Sequence, residues 1–220
     1  MAAGVGPVGR DEAWPPPSAW AGTGHDEIAE HVEQLFAMVT EGLAAATEAL
    51  LSGDREVVRV LVERDGAADE VYRTVESLVT TAITDGGLTP SQLRALVSVL
   101  RVAPELERSH DLVEHIARRG SAGIGAALSP RARGLVQRMG TGGVEMWQLV
   151  ADGWARRDAS VAEVLEGRDD ELDELHAALS AEVARGDQPL PVAMEATLVA
   201  RFFERLGDHA VNIARRIPSL

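Results

Sequence analysis

Apolar residues recur every three or four positions along most of this chain, which is the period of an amphipathic helix. Glycine, proline and aspartate interrupt the pattern at several points and divide it into six segments. The pattern therefore predicts an all-α protein. The predicted helices span about 26–51, 54–85, 89–119, 131–157, 158–185 and 191–216, with a kink expected at Pro104 in the third.

Two parts of the chain repeat each other. Residues 105–119 align without gaps with residues 202–216, and both segments carry a Glu-x-x-x-Asp pair followed by Ile-Ala-Arg-Arg. A second acidic pair lies upstream of each segment. The chain is therefore an internal duplication with two acidic pairs in each half. These pairs are Asp65 with Asp69, Glu107 with Asp111, Asp169 with Asp173, and Glu204 with Asp208.

The duplication predicts two tandem three-helix bundles joined end to end. The first bundle is expected at 26–119, a linker at 120–130 and the second bundle at 131–217. Residues 1–25 are rich in proline and glycine and are expected to form a disordered tail. Trp14 and Trp20 in that tail leave two alternatives open, a segment that lies on the bundle and a docking peptide for a partner.

The composition of the chain argues against several classes of function. The net charge is -14, which argues against nucleic acid as a partner because phosphate contacts need a basic surface. The chain has no cysteine, which rules out disulfides and thiolate metal sites. No apolar run reaches the length of a membrane span, and no apolar signal core follows the N-terminus, so a cytoplasmic protein without membrane insertion is expected.

The acidic pairs should face one another, because the second and third helices of each bundle are antiparallel neighbours. Facing carboxylates need compensating cations, and two sources remain open. One is a metal ion held by oxygen ligands. The other is salt bridges to Arg108 and Arg205.

The segment Glu204-Arg-Leu-Gly-Asp-His-Ala-x-Asn-Ile-Ala, together with the four acidic pairs, resembles the PhoU family of phosphate-uptake regulators. The resemblance covers about residues 26–217. It implies the two-bundle fold and metal sites lined by the acidic pairs, with Fe, Mn, Mg or Zn as the cofactor. The candidate metal ligands are Asp65, Asp69, Glu107 and Asp111 in the first repeat and Asp169, Asp173, Glu204 and Asp208 in the second.

The resemblance also implies a function without catalysis. A protein of this kind would be a negative regulator of the high-affinity phosphate ABC transporter and of phosphate-starvation signalling. Its partners would be the transporter ATPase and a phosphate-sensing histidine kinase, and a homodimer is compatible with the pattern. Two alternatives stay open, a metal-free helical interaction protein and a carboxylate-bridged di-iron enzyme. The di-iron enzyme needs two Glu-x-x-His motifs, and the chain has one, at Glu107 and His110.

The first repeat departs from the motif. Ser109-His110 stands where the second repeat has Leu206-Gly207, and His115 stands where it has Asn212. We therefore expect unequal sites, with an intact one in the second repeat, where Gly207 lets a neighbouring helix approach. His209 is expected at the surface or behind the ligands. Trp147 and Trp154 are expected to pack in the core or between the bundles.

Overall fold

The computed structural model describes residues 25–63, 65–186 and 188–217, and the side chains of residues 25, 62, 63, 65 and 121 lie outside that description. The tail predicted at 1–25 lies outside it too, apart from His25, which begins the first helix. In the described ranges every regular element is a helix. The helices are α1 His25–Ser52, α2 Arg55–Glu63, α3 Asp65–Asp85, α4 Pro90–Ser121, α5 Ile124–Ala127, α6 Pro130–Arg156, α7 Val161–Ala184 and α8 Leu190–Ala214.

The second predicted helix, at 54–85, is described on both sides of residue 64, which lies outside the described residues. Its two described parts are α2 Arg55–Glu63 and α3 Asp65–Asp85. Both parts lie within the predicted bounds and are helical over their whole length.

Helix α4 begins at a capping box. Thr89 Oγ1 accepts a hydrogen bond from the backbone N–H of Gln92 at 3.2 Å, and Gln92 Oε1 accepts one from the N–H of Thr89 at 2.9 Å. Pro90 occupies the first turn, where its missing N–H costs nothing. The helix then continues across Pro104 to Ser121, so the predicted kink does not divide it.

The two repeats pack side by side, and the expected end-to-end arrangement is wrong. Helix α1 of the first repeat packs against α6 of the second, and α4 packs against α8. Phe36 lies between Trp147 and Trp154, with ring centroids 6.4 and 6.1 Å apart, so both tryptophans pack between the bundles as expected. One continuous apolar core results, because α1 buries residues towards both repeats.

Helix α1 is the one described helix that is long and apolar enough to cross a membrane by length and composition. Within the fold, 56% of its apolar window is buried against other helices. Its hydrophobicity is therefore accounted for by its central position between the repeats.

Each repeat contains a helical hairpin that carries the acidic pairs. The connections at 86–89 and 185–189 are of similar length. The hairpin from Asp69 to Glu107 is nevertheless longer than the one from Asp173 to Glu204. The shorter hairpin of the second repeat thus comes from shorter helical arms and not from a shorter loop.

Candidate functional site

The acidic pairs of the second repeat lie on neighbouring helices, Asp169 and Asp173 on α7 and Glu204 and Asp208 on α8. The pKa of Asp169 rises to about 6 because the carboxyl is partly buried. The negative charges of Asp208, Asp173 and Glu204 raise it further. The fold therefore brings these four carboxylates close enough for their charges to repel one another, as the repeat pattern predicted.

Gly207 explains how closely the two helices meet. A Cβ at this position would collide with Asp169 Oδ1 and would lie 2.9 Å from Leu172 Cδ2. The absence of a side chain thus leaves room for α7 directly beside Glu204 and Asp208. The close approach that the sequence assigned to this glycine is present.

Nearby cations already engage part of this acidic set. Arg201 donates a hydrogen bond to Glu204 from the preceding turn of α8. The pKa of Glu204 is still raised, because burial outweighs the opposing charge of Arg201. Alongside, Arg215 binds Glu166 at 2.7 Å. Glu166 and Arg215 border an open groove of about 370 Å³ that Asp169, Asp170, Asp208 and Asn212 also line.

The first repeat has a related arrangement of acidic side chains. The pKa of Glu107 is raised by partial burial and by the charges of Asp111 and Asp69, so these three carboxylates are close together. Asp69 also binds Arg73 of its own helix at 3.3 Å. Asp65 begins α3, but its side chain is outside the described set.

The predicted metal cofactor is wrong for the part of the chain that the structure describes. Among those residues no group of three or more His, Cys, Asp or Glu side chains could hold a metal ion. The physical reason lies in the arginines, because Arg201 and Arg73 draw Glu204 and Asp69 into ion pairs on their own helices. The charges of these carboxylates affect one another, but their oxygens do not converge on a common point where a metal ion could bind.

A second polar cluster joins the two repeats, and the sequence placed its histidine wrongly. His209 was expected at the surface or behind the acids, but it is 6% exposed and lies between α4 and α8. Its Nδ1 is 2.9 Å from Ser109 Oγ. The available signal was helical spacing, because Leu206 and Ile213, three residues before and four after, are fully buried.

The cluster is fully connected. Ser109 Oγ donates to the backbone carbonyl of Glu105 at 2.5 Å, so it accepts its second hydrogen bond from His209. Arg216 binds the Glu105 carboxylate at 3.0 Å. Burial lowers the pKa of His209, against the opposing pull of Glu105, and the ring is neutral at pH 7. Ser109 is 0% exposed, which places its hydroxyl out of reach of a substrate.

The other histidines of the first repeat separate into two environments. His110 is buried and lines a groove of about 360 Å³ with Gly42, Val57 and Leu61 of α1 and α2. His115 is exposed, donates to the carbonyl of Asp111 at 2.7 Å and meets Phe202 edge-on, with ring centroids 5.5 Å apart. His110 therefore fills the space between helices with its side chain at the position where the second repeat has Gly207, which instead leaves room for α7.

Comparison with known protein families identifies the duplicated unit. The family model described as the PhoU domain matches the chain twice, at residues 32–120 and 136–217. The chain is 26% identical to a protein of Mycobacterium leprae named phosphate-specific transport system accessory protein PhoU homolog 1, over 87% of each chain. It is also 26% identical to the PhoU homolog 2 of Mycobacterium tuberculosis, over 87% of this chain and 91% of that one.

Two solved structures have the same fold. The crystal structure of PhoU from Pseudomonas aeruginosa superimposes with a TM-score of 0.81 at 24% identity, covering 88% of this chain and 95% of that one. The PhoU structure from Streptococcus pneumoniae gives a TM-score of 0.76 at 22% identity, covering 87% of this chain and 92% of that one. At these identities the likeness concerns the fold.

Proposed function

The chain belongs to the PhoU domain family, and from that premise we propose that it is a regulatory accessory protein of a phosphate-specific transport system. It acts in the cytoplasm and restrains phosphate uptake and the phosphate-starvation response when phosphate is plentiful. Its partners are the transporter ATPase and a phosphate-sensing histidine kinase. It works by binding these partners and not by catalysis.

The observation that carries this proposal is the duplicated acidic hairpin. Each repeat presents two acidic pairs on adjacent helices, and in the second repeat an open groove lies beside them. A surface of this charge attracts basic segments of a partner and repels acidic ones, which supports recognition. The net charge of -14 acts in the same direction over longer distances.

The eight acids, proposed as recognition residues, would therefore contact basic partner segments directly. Asp169, Asp173, Glu204 and Asp208 form the stronger of the two surfaces, because Gly207 concentrates their charge where α7 and α8 meet. The remaining members are Asp65, Asp69, Glu107 and Asp111 of the first repeat.

Gene deletion followed by complementation tests the proposal. Without the gene, phosphate-starvation genes should be expressed in phosphate-rich medium and phosphate uptake should rise. The wild-type chain should restore repression, and a Glu204→Gln/Asp208→Asn variant should restore it only partly. Uptake of labelled phosphate and a starvation-promoter reporter measure the two effects.

A variant of equal charge change provides the matched control. Glu30 and Glu33 are exposed on α1, a helix that carries none of the acidic pairs, and Glu30→Gln/Glu33→Gln alters the net charge by the same amount. This control should complement fully. Normal repression in the deletion strain would reject the regulatory role, and equal complementation by both variants would reject the assignment of the acidic pairs.

A further inference from the structure

The first repeat exposes apolar side chains at the end where α3 turns into α4. Leu93 and Val97 are 43% and 37% exposed on successive turns of α4. Ile83 is 38% exposed near the end of α3, across the hairpin connection. These three residues form what we call the end patch. Single exposed apolar residues are ordinary, but three at one hairpin end make a surface suited to a contact.

The second repeat carries the same feature. The alignment that matches Glu107 with Glu204 also matches Leu93 with Leu190 and Val97 with Met194. Leu190 and Met194 are 73% and 60% exposed. The duplication therefore supplies two equivalent apolar pairs, and the pair in the first repeat is the less exposed one.

Helix α1 starts beside the end patch. Helices α1 and α4 run parallel, since a Cβ added at Gly42 would lie 3.0 Å from Val113, and Gly120 packs equally closely on the backbone of Ala49. Continued back along both helices, this register places the first residue of α1 level with Leu96. The start of α1 therefore lies at the same level along α4 as Val97.

The segment that precedes α1 contains two of the four tryptophans of the chain, Trp14 and Trp20. An extended chain spans at most about 3.5 Å per residue, so Trp20 lies within about 17 Å of the start of α1 and Trp14 within about 38 Å. Both can reach the end patch. An indole is the side chain that gains most by covering exposed apolar surface.

We propose that the segment from Trp14 to Trp20 docks on the end patch and covers Ile83, Leu93 and Val97 with its indoles. The three prolines at 15–17 favour this contact, because proline reduces the conformational freedom that a segment gives up on docking. Docking leaves only one of the two equivalent apolar pairs exposed. The first repeat is capped by its own chain, and Leu190 and Met194 stay open for a partner.

The register of α8 shows why the tail selects the first repeat. Glu195, next to Met194, binds Arg119 of α4 at 2.9 Å. Arg119 lies about 33 Å along α4 from Val97, at 1.5 Å per residue. Trp20 cannot cover that distance, and Trp14 can do so only with the chain almost fully extended. The second pair is thus the matched control for the first.

Because the chain has no cysteine, single thiols report on each position without background. We would place Val97→Cys and, as the control, Met194→Cys in the full chain and in the full chain with Trp14→Ala and Trp20→Ala. The second-order rate of reaction with a maleimide is measured for each. Docking predicts that removing the two indoles raises the rate at position 97 at least threefold and leaves the rate at position 194 unchanged.

A second pair of variants approaches the contact from the tail. Chymotrypsin can cleave after Trp20, whereas the bond after Trp14 is protected by Pro15. Leu93→Ser/Val97→Ser should accelerate cleavage after Trp20 at least threefold, and Leu190→Ser/Met194→Ser should not. All four residues are exposed, so the fold is retained.

Equal maleimide rates at position 97 with and without the tryptophans would overturn the proposal. So would protection of position 97 that depends on protein concentration, because that result assigns the end patch to a second copy of the chain. Equal acceleration at positions 97 and 194 would show that the tail acts on the whole molecule and does not dock at this end.

Discussion

Asp169 is the residue whose ionisation conflicts most with its place in the fold. Its pKa is about 6 in the folded chain, against 3.8 for an unperturbed aspartate, because of burial and four neighbouring carboxylates. Between these two values the folded state holds the proton and the unfolded state does not. Stability contributed by this residue is therefore lost as pH rises through that interval.

Asp169→Asn should consequently stabilise the protein at pH 7.5, since the amide resembles the protonated acid. A shift of this size would correspond to about 3 kcal/mol for a buried group, and exposure to water reduces the expected gain to about 1 kcal/mol. At pH 4 the gain should disappear. Urea unfolding at the two pH values measures it.

Asp170→Asn is the matched control, because Asp170 is exposed at the next position of the same helix and is the weakest of the four charges that raise the pKa of Asp169. It should change stability by less than about 0.5 kcal/mol at either pH. A gain from Asp169→Asn that is equal at pH 4 and pH 7.5 would contradict the electrostatic explanation.

At the residue scale, the sequence predicted positions better than partners. The spacing of Glu204 and Asp208 placed both acids on the face towards α7, where the structure has them. The expected salt-bridge partner was Arg205, but Arg201 binds Glu204. Helical spacing distinguishes the two arginines, because Arg201 stands three residues before Glu204 on the same face of α8, whereas Arg205 follows it directly and points about 100° away.

At the scale of elements, α7 and α8 depend on one glycine for their contact. A methyl group at position 207 would collide with Asp169 and overlap with Leu172. Alanine is the better helix former by about 1 kcal/mol, but overpacking costs about 1–3 kcal/mol. Gly207→Ala should therefore lower the free energy of unfolding by about 1 kcal/mol, as measured by denaturant titration.

Gly167→Ala is the control for this prediction. Gly167 lies in α7 of the same hairpin, and a Cβ there meets nothing within 4 Å. Relief from the helix penalty should stabilise this variant by about 0.5–1 kcal/mol. If both alanine variants are more stable than the wild type, a methyl group at position 207 does not clash with Asp169 and Leu172, and the prediction is wrong.

The positions of most helices could be predicted from the sequence, because apolar periodicity and capping residues define a helix locally. Thr89 as the N-cap and Pro90 in the first turn mark the start of α4. The short helix α5 in the linker had no periodicity to detect, because it contains four residues. Its place follows from tertiary contacts with α1 and α8.

At the scale of the molecule, the sequence predicted two repeats but not their arrangement. An internal duplication is compatible with both end-to-end and side-by-side packing. The choice depends on α1, whose buried residues Leu43 and Thr47 face Gly143 and Gly140 of α6. These contacts depend on side chains of α1 fitting against glycines of α6, and a single sequence does not show which residues of two distant helices fit together.

The buried cluster around His209 makes this arrangement specific. His209 belongs to the second repeat, and its partners Ser109 and Glu105 belong to the first. Removing the imidazole leaves a cavity and takes away the donor that serves the Ser109 hydroxyl. His209→Ala should therefore cost about 2–3 kcal/mol, because cavity formation and a lost buried hydrogen bond both contribute.

A double-mutant cycle tests whether the cost comes from the bond between the repeats. Ser109→Ala removes the same bond from the other side, so the two single changes and the double change should show a coupling of about 1 kcal/mol. His115→Ala is the control, since that ring is exposed and binds only a carbonyl of its own helix and the edge of Phe202. It should cost less than about 0.5 kcal/mol. Additive costs for His209→Ala and Ser109→Ala would show that this hydrogen bond does not contribute to holding the repeats together, whereas coupling identifies it as a contact that stabilises the packing of α4 against α8.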